Sequence, residues 1–175
     1  MDMIRYGLRR YCLVLSLLLA LPCAVLAQQA STSILHAPQA TKLLPDSVFF
    51  AGKSASTQLR NSAGLRFADG QYTLAVLVDT SGYSTGVQEK YQGYLLSEVP
   101  LEIEGHALPA GAYGVGFVGS SFHVMDIGSH DLFLAAARHD EQMRRPVPLQ
   151  ILPGAAASEY RLCFGRNCVS LRRGR

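Results

Sequence analysis

The sequence predicts an all-β fold: a single-domain antiparallel β-sandwich over residues 42–173, favoured over a closed barrel. Two observations carry this prediction. From about Lys42 onward, short alternating or β-branched runs are separated by Gly, Pro, Asn and Asp. Asp69-Gly70 and Gly165-Arg166 each divide two apolar runs, as hairpin turns do. The remaining run, Asp131–Ala137, is too short to decide between a strand and a helix. Ala and Leu followed by "RHDEQMRR" allow one short helix near 131–143.

The first 27 residues have the layout of a secretory signal peptide. Arg5, Arg9 and Arg10 form a basic start, the apolar run Cys12–Ala27 follows, and Val25-Leu26-Ala27 ends it with a cleavage-type sequence. The run is shorter than the ~20 residues of a spanning helix. Arg9-Arg10 suggests the twin-arginine route, but the leucine run favours ordinary unfolded export. Pro22 makes Cys23 a poor lipidation site. Removing residues 1–27 takes away Arg5, Arg9, Arg10 and Asp2, which lowers the formal charge from +3 to +1. So small a charge gives little support to nucleic-acid binding. The tail residues Arg172, Arg173 and Arg175 then form a solvated basic end.

Residues 28–41 show no sustained period and are expected to form a flexible lead-in. In "AGLRFADGQYTLAVLV", a two-residue type I′ turn at Asp69-Gly70 would pair Phe67 with Tyr72, Leu65 with Leu74, and Ala63 with Val76. Arg66, Gln71 and Thr73 would take the other face. Val99, Leu101 and Ile103 alternate with glutamates as a half-buried strand does, and Leu108–Gly111 turns the chain. Tyr113, Val115 and Phe117 line one face of the next strand. Its other face carries Ala112, Gly114 and Gly116, which suggests a bend, tight packing, or close approach of backbone or ligand. "SSFHVMDIG" follows as another strand.

The last hairpin holds Cys163 and Cys168, the two cysteines left after signal removal. Zinc would want about four ligands, and a thioredoxin-like site would want two intervening residues, not four. With Gly165-Arg166 as a type II′ turn, Phe164 faces Asn167 and Cys163 faces Cys168 in a non-hydrogen-bonded pair. That geometry predicts a disulfide staple on the outer face, with Arg161 and Ser170. Tyr160, Leu162, Val169 and Leu171 would face inward.

Chemistry-bearing motifs are few. Asp79-Thr80-Ser81-Gly82 ends an apolar strand and is similar to an aspartic-protease loop, in which two carboxylates share a proton. Ser81 interrupts that pattern, and one copy would need a homodimer. A turn accounts for the same residues. His123, Asp126, His130, Asp131, His139 and Asp140 invite a metal reading, but His123 and Asp126 would point to opposite strand faces. No serine sits in a nucleophile elbow, no phosphate-binding glycine loop occurs, and nothing calls for a cofactor. Absence of Trp removes the lipocalin signature. Tyr83, Tyr91 and Tyr94, spread among Gly, Gln and Ser, would suit a binding loop or ordinary packing.

Three segments, "KLLPDSVFFAGKSASTQLRN", "VDTSGYSTGVQEKYQGYLLSE" and "LPAGAYGVGF", resemble a group of uncharacterised exported bacterial proteins of about this length. The resemblance implies export and a β-rich fold, and carries no activity. The expectation is a periplasmic or secreted, non-enzymatic domain that binds a small ligand or an envelope partner, or plays a structural part. The alternative is an aspartic-type hydrolase using Asp79 across a homodimer. A membrane barrel would need regular ten-residue lipid-facing strands, which are missing.

Overall fold

The chain's turns set its architecture, as a computed structural model of residues 31–175 shows. The signal-peptide reading and the Gln28 start lie outside the described residues. Among the described residues, fourteen strands and two short helices follow in order. The first part runs β1 (Ser33–Leu35), α1 (Ala37–Ala40), β2 (Ser47–Phe50), β3 (Lys53–Arg66), β4 (Tyr72–Val78), α2 (Thr85–Lys90), β5 (Gly93–Ser97), β6 (Leu101–Ile103) and β7 (His106–Leu108). The second runs β8 (Gly111–Val118), β9 (Ser121–Met125), β10 (Asp131–Ala136), β11 (Arg138–His139), β12 (Gln150–Pro153), β13 (Glu159–Phe164) and β14 (Asn167–Arg173). No described helix is long and apolar enough to cross a membrane.

Two antiparallel sheets result, and they do not close into a barrel. One has eight strands in the order β1-β3-β4-β5-β8-β9-β10, with β2 beside β3. The other has six, β12-β13-β14-β6-β7, with β11 beside β14. Glu104 and Gly105, at φ of 46° and 85°, turn β6 into β7, and Pro109-Ala110 then carries the chain across to the larger sheet. The core between the sheets includes Leu65, Leu95, Leu101, Ile103, Val115, Phe122, Val124, Ile151, Leu162 and Leu171. Each of these is a period-2 position of its strand, which is how a sandwich fills its interior.

Several expectations need correction. Ser33–Leu35 pairs with β3 and Ala40 is fully buried, so order begins within the segment expected to be a flexible lead-in. Residues 131–136 are a strand paired with β9, not a helix. The Asp69-Gly70 hairpin is real but its register is shifted by one. Leu65 faces Thr73, Gly64 faces Leu74 and Ser62 faces Val76. Phe67 N–H donates to Gln71 O at 2.8 Å and Gly70 N–H to Phe67 O at 2.9 Å. Only Gly70 has positive φ, at 88°, so the loop is a three-residue turn with a glycine bulge. The shift flips every β4 side chain. Thr73 faces the core, where its Oγ1 lies 2.8 Å from Ser97 Oγ, and Leu74 and Val76 face the opposite side.

That opposite side is covered too, which is why alternation misled there. β3 carries an irregularity between Gln58 and Ser62 that sends Ala55 outward although Ala63 points inward. Over the outer face, α1 and Leu44 cap Leu74 and Val76. The β2–β3 hairpin and α2 close a second apolar cluster around Phe50 and Tyr91. The β9–β10 end of this face is left uncovered by described residues, with Leu134 and Val118 exposed there and Leu132 exposed at the irregularity that opens β10.

The glycine face of β8 is one of close approach. A Cβ on Gly114 would stand 2.2 Å from the Phe50 ring, and one on Gly116 would stand 2.3 Å from Lys90 O. The terminal hairpin keeps the expected register, with Cys163 opposite Cys168 and Phe164 opposite Asn167. Gly165 has φ of 59°, and the disulfide joins Cα atoms 4.1 Å apart. The cysteines differ from expectation in burial: Cys163 is fully buried and Cys168 nearly so. β11 flanks β14 at Cys168, and Asp140-Glu141 is pinned to the hairpin by Arg161 and Arg166.

Candidate functional site

Tyr83, Tyr91 and Tyr94 do come together, but around a side chain that sequence reasoning left out. The Phe50 ring lies over Gly114, stacked on Tyr91 with centroids 3.8 Å apart and edge-on to Tyr83 at 6.2 Å. Tyr83 and Tyr91 meet edge to face at 5.4 Å. Phe50 thus fills the space that a ligand would need. The Tyr83 hydroxyl donates toward Phe50 O at 3.0 Å and Lys53 O at 3.1 Å, fastening the β2–β3 hairpin to the sheet. Ala51 N–H adds a bond to Ile127 O at 2.7 Å. Tyr94 is half-buried and bridges this cluster to the one beneath α1. The Tyr91 hydroxyl is fully buried and has no hydrogen-bond partner among the described residues. Burial, reinforced by the neighbouring Tyr83 and Tyr94, pushes the Tyr91 phenol pKa far up.

Asp79 sits exposed after β4. Its Oδ1 accepts the Ser81 N–H at 3.0 Å, and Tyr83 N–H donates to Thr80 O at 3.0 Å. This is an Asx turn built from turn-forming residues. The Ser81 N–H holds the Asp79 carboxyl below the usual carboxylate range, the opposite of a carboxyl that keeps a shared proton. No three His, Cys, Asp or Glu among the described residues lie close enough to hold a metal ion. Asp126 and His130 pair across their own turn at 3.0 Å, and His139 Nδ1 lies 2.7 Å from Asn167 Oδ1.

The uncovered end of the larger sheet holds the features with unspent binding capacity. β10 is the last strand, and no described strand lies on its other side. Ala137 N–H donates to Ser120 O at 2.8 Å, toward β9. Backbone groups alternate in direction along a strand, so Ala135 and Phe133 also face β9, whereas Ala136 and Leu134 face away. Leu132 and Leu134 are 49% and 52% exposed, high for leucines on one short strand. Beside them Lys90 reaches over from α2 to Asp131 at 2.8 Å, and this bond holds the Asp131 carboxyl below its ordinary range. His123 Nδ1 stands 3.5 Å from Asp131 Oδ1, too loose for a directed hydrogen bond. Against the inner side, Phe133 stacks on His106 of β7 at 4.7 Å, so β7 and β10 lie along one open side of the sandwich.

The six-stranded sheet carries a shallow polar recess of about 270 Å³ on its outer face, lined by Glu102, Glu159, Arg172, Ser158 and Ser170 among others. Arg172 lies opposite both Glu159 and Glu102 and pairs with the latter, so the charges there largely satisfy one another. The chain matches no protein-family model, no curated protein and no solved structure. Sequence reasoning missed the β10 edge. Its trace was the uncharged stretch 132–137 between Asp131 and Arg138, apolar at both odd and even positions.

Proposed function

We propose that the protein is an exported, non-enzymatic β-sandwich that acts as a binding module in the periplasm or outside the cell, engaging a protein partner along β10. The observation that carries this reading is the terminal strand itself: outward backbone groups beside two half-exposed leucines form a template for strand addition. Soluble proteins ordinarily blunt such an edge with charge, proline or a bulge; residues 132–137 carry no charge or proline, and the irregularity of β10 is confined to its start, between Asp131 and Phe133. Export is supported by the basic, leucine-rich start and by a disulfide that suits an oxidising compartment. The turn geometry of Asp79 lends the hydrolase alternative no support. Packing of the tyrosine rings against Phe50 supports a structural role for them better than a ligand loop.

A photo-crosslinking residue at Leu134, expressed in exporting cells, tests the reading. A discrete protein adduct is expected there, and none from the same label at exposed Arg60. Equal labelling from both positions, or none at Leu134, would remove it.

A further inference from the structure

We propose that the Cys163–Cys168 disulfide is a reversible redox site, gated by residues 140–149, which strap the tip and outer face of the last hairpin. β11 lies beside β14 and β12 beside β13, so the chain between them has to pass the hairpin they flank. It goes around the tip. Asp140 N–H donates to Arg166 O at 2.9 Å, and Gly165 N–H donates to Val147 O at 3.1 Å and Pro148 O at 3.2 Å. From there two strap side chains are bound by residues of the outer face. Asp140 Oδ2 accepts from Arg161 Nη1 at 3.0 Å, and Met143 Sδ from Gln150 Nε2 at 3.2 Å. Arg161 stands two residues before Cys163, on the same face of β13, and Gln150 stands opposite Cys163 in the register. Neither cysteine belongs to the inter-sheet core, yet Cys163 is fully buried and Cys168 is 3% exposed. The strap supplies that burial.

The strap is fastened by polar groups alone. None of residues 140–148 is buried, and Val147 stays outside, 43% exposed. Asp140 is the hub, since its carbonyl also accepts from Arg166 Nη1 at 3.0 Å. Bonds of this kind exchange readily with water, so the strap lifts at less cost than the sandwich opens. Once it is lifted, the thiolate of a dithiol reaches Cys168 Sγ from the β11 side, in line with the S–S bond. A new S–S bond forms on Cys168, the Cys163–Cys168 bond breaks, and its electron pair leaves on Cys163 Sγ, which takes a proton. The reductant's second thiolate then attacks its own sulfur in the mixed disulfide, closes the reductant's disulfide and releases Cys168, which is protonated in turn. The protein gains two electrons and two protons, both given by the dithiol. Lifting the strap also parts Arg161 from Asp140, which leaves an unpaired guanidinium on the face where the Cys163 thiolate forms. Gly165-Arg166 keeps the hairpin in register, so the two thiols stay opposite one another and can reoxidise.

Reduction of the folded protein by dithiothreitol is the test, with samples quenched in N-ethylmaleimide and weighed intact, two labels marking each reduced chain. The rate is followed at rising urea concentrations below the unfolding transition. A nearly flat dependence is expected, because lifting a strap exposes far less surface than unfolding does. Asp140→Asn loosens the hub and should speed reduction in the absence of urea by about threefold or more, with the urea midpoint little changed. Arg161→Gln breaks the same pair but also removes the cation, so it should gain less than Asp140→Asn. Three results would each overturn the proposal. One is a rate that climbs with the full urea slope of global unfolding, the second is a rate that Asp140→Asn leaves unchanged, and the third is an Arg161→Gln variant at least as fast as Asp140→Asn.

Discussion

Tyr91 shows what a single atom costs. Its ring does useful work, stacked on Phe50 and edge-on to Tyr83, but its hydroxyl has left water without gaining a partner. Such a buried group is penalised by about 1–3 kcal/mol. Tyr91→Phe should therefore stabilise the protein, by about 1 kcal/mol or more, as read from urea unfolding. The pH dependence follows from the same burial. The folded-state pKa is raised above the unfolded value, so the unfolded chain loses this proton first as pH rises. Stability should hold below about pH 10 and fall above it. Tyr91→Phe should remove that part of the alkaline loss, measured by thermal unfolding from neutral to strongly alkaline pH. The cysteines make a second case. Chain-entropy arithmetic gives the short Cys163–Cys168 loop about 2 kcal/mol. Because both side chains are buried, replacing the pair by Ala should cost about that much. Replacing it by Ser should cost about 1–3 kcal/mol more unless the hydroxyls find partners. Equal losses in denaturant melts would show that water reaches that face.

At the scale of elements, close approach explains the glycines of β8. Gly116→Ala would press a methyl group on the Lys90 carbonyl, which is backbone at the end of α2. A loss of about 1–3 kcal/mol is expected, as for other overpacking, with α2 displaced. Gly82, whose Cβ would meet nothing within 4 Å and whose φ is not positive, should accept Ala with little change. Comparing the two by urea unfolding isolates contact from glycine's backbone freedom. The terminal hairpin tests the inward face: Leu162→Ala removes a fully buried side chain and should cost about 2–5 kcal/mol. That loss should exceed the loss from the Ala pair at the cysteines. If the order is reversed, the disulfide supports more than its own hairpin.

For the whole molecule, the larger sheet is covered on both sides by layers of unequal thickness. The inter-sheet core unites both sheets, whereas the outer clusters depend on short covers fastened at few points. Phe50 is the anchor of one cover, together with the bonds from Tyr83 and Ala51. Phe50→Ala should cost about 3–5 kcal/mol and should unfasten the β2–β3 hairpin before the sandwich opens. In hydrogen exchange, residues 47–55 and 83–92 should lose protection while β13 and β14 keep theirs. Uniform loss would mean that both layers unfold as one unit. The β9–β10 end, which has no such cover among the described residues, is where the proposed partner would extend the sheet.

Local chemistry wrote much of this structure into the sequence. Gly165-Arg166 fixes the last hairpin because glycine supplies the positive φ at the first turn position. The disulfide, and the inward set Tyr160, Leu162, Val169 and Leu171, follow from that register. Alternation likewise located Leu101, Ile103, Tyr113, Val115 and Phe117 on inner faces, since each lies on a strand with one dominant apolar side. Tertiary structure decided the rest, wherever a second layer changes which face counts as inside. The Asp69-Gly70 register slipped by one because Leu74 and Val76 find a buried home under α1, which β4's own sequence does not reveal. Residues 131–136 became a strand because β9 offered an unpaired edge, and a short run of Leu and Ala does not choose by itself. The same run left β10's outer leucines exposed, because in the described residues no further element crosses that end of the sheet.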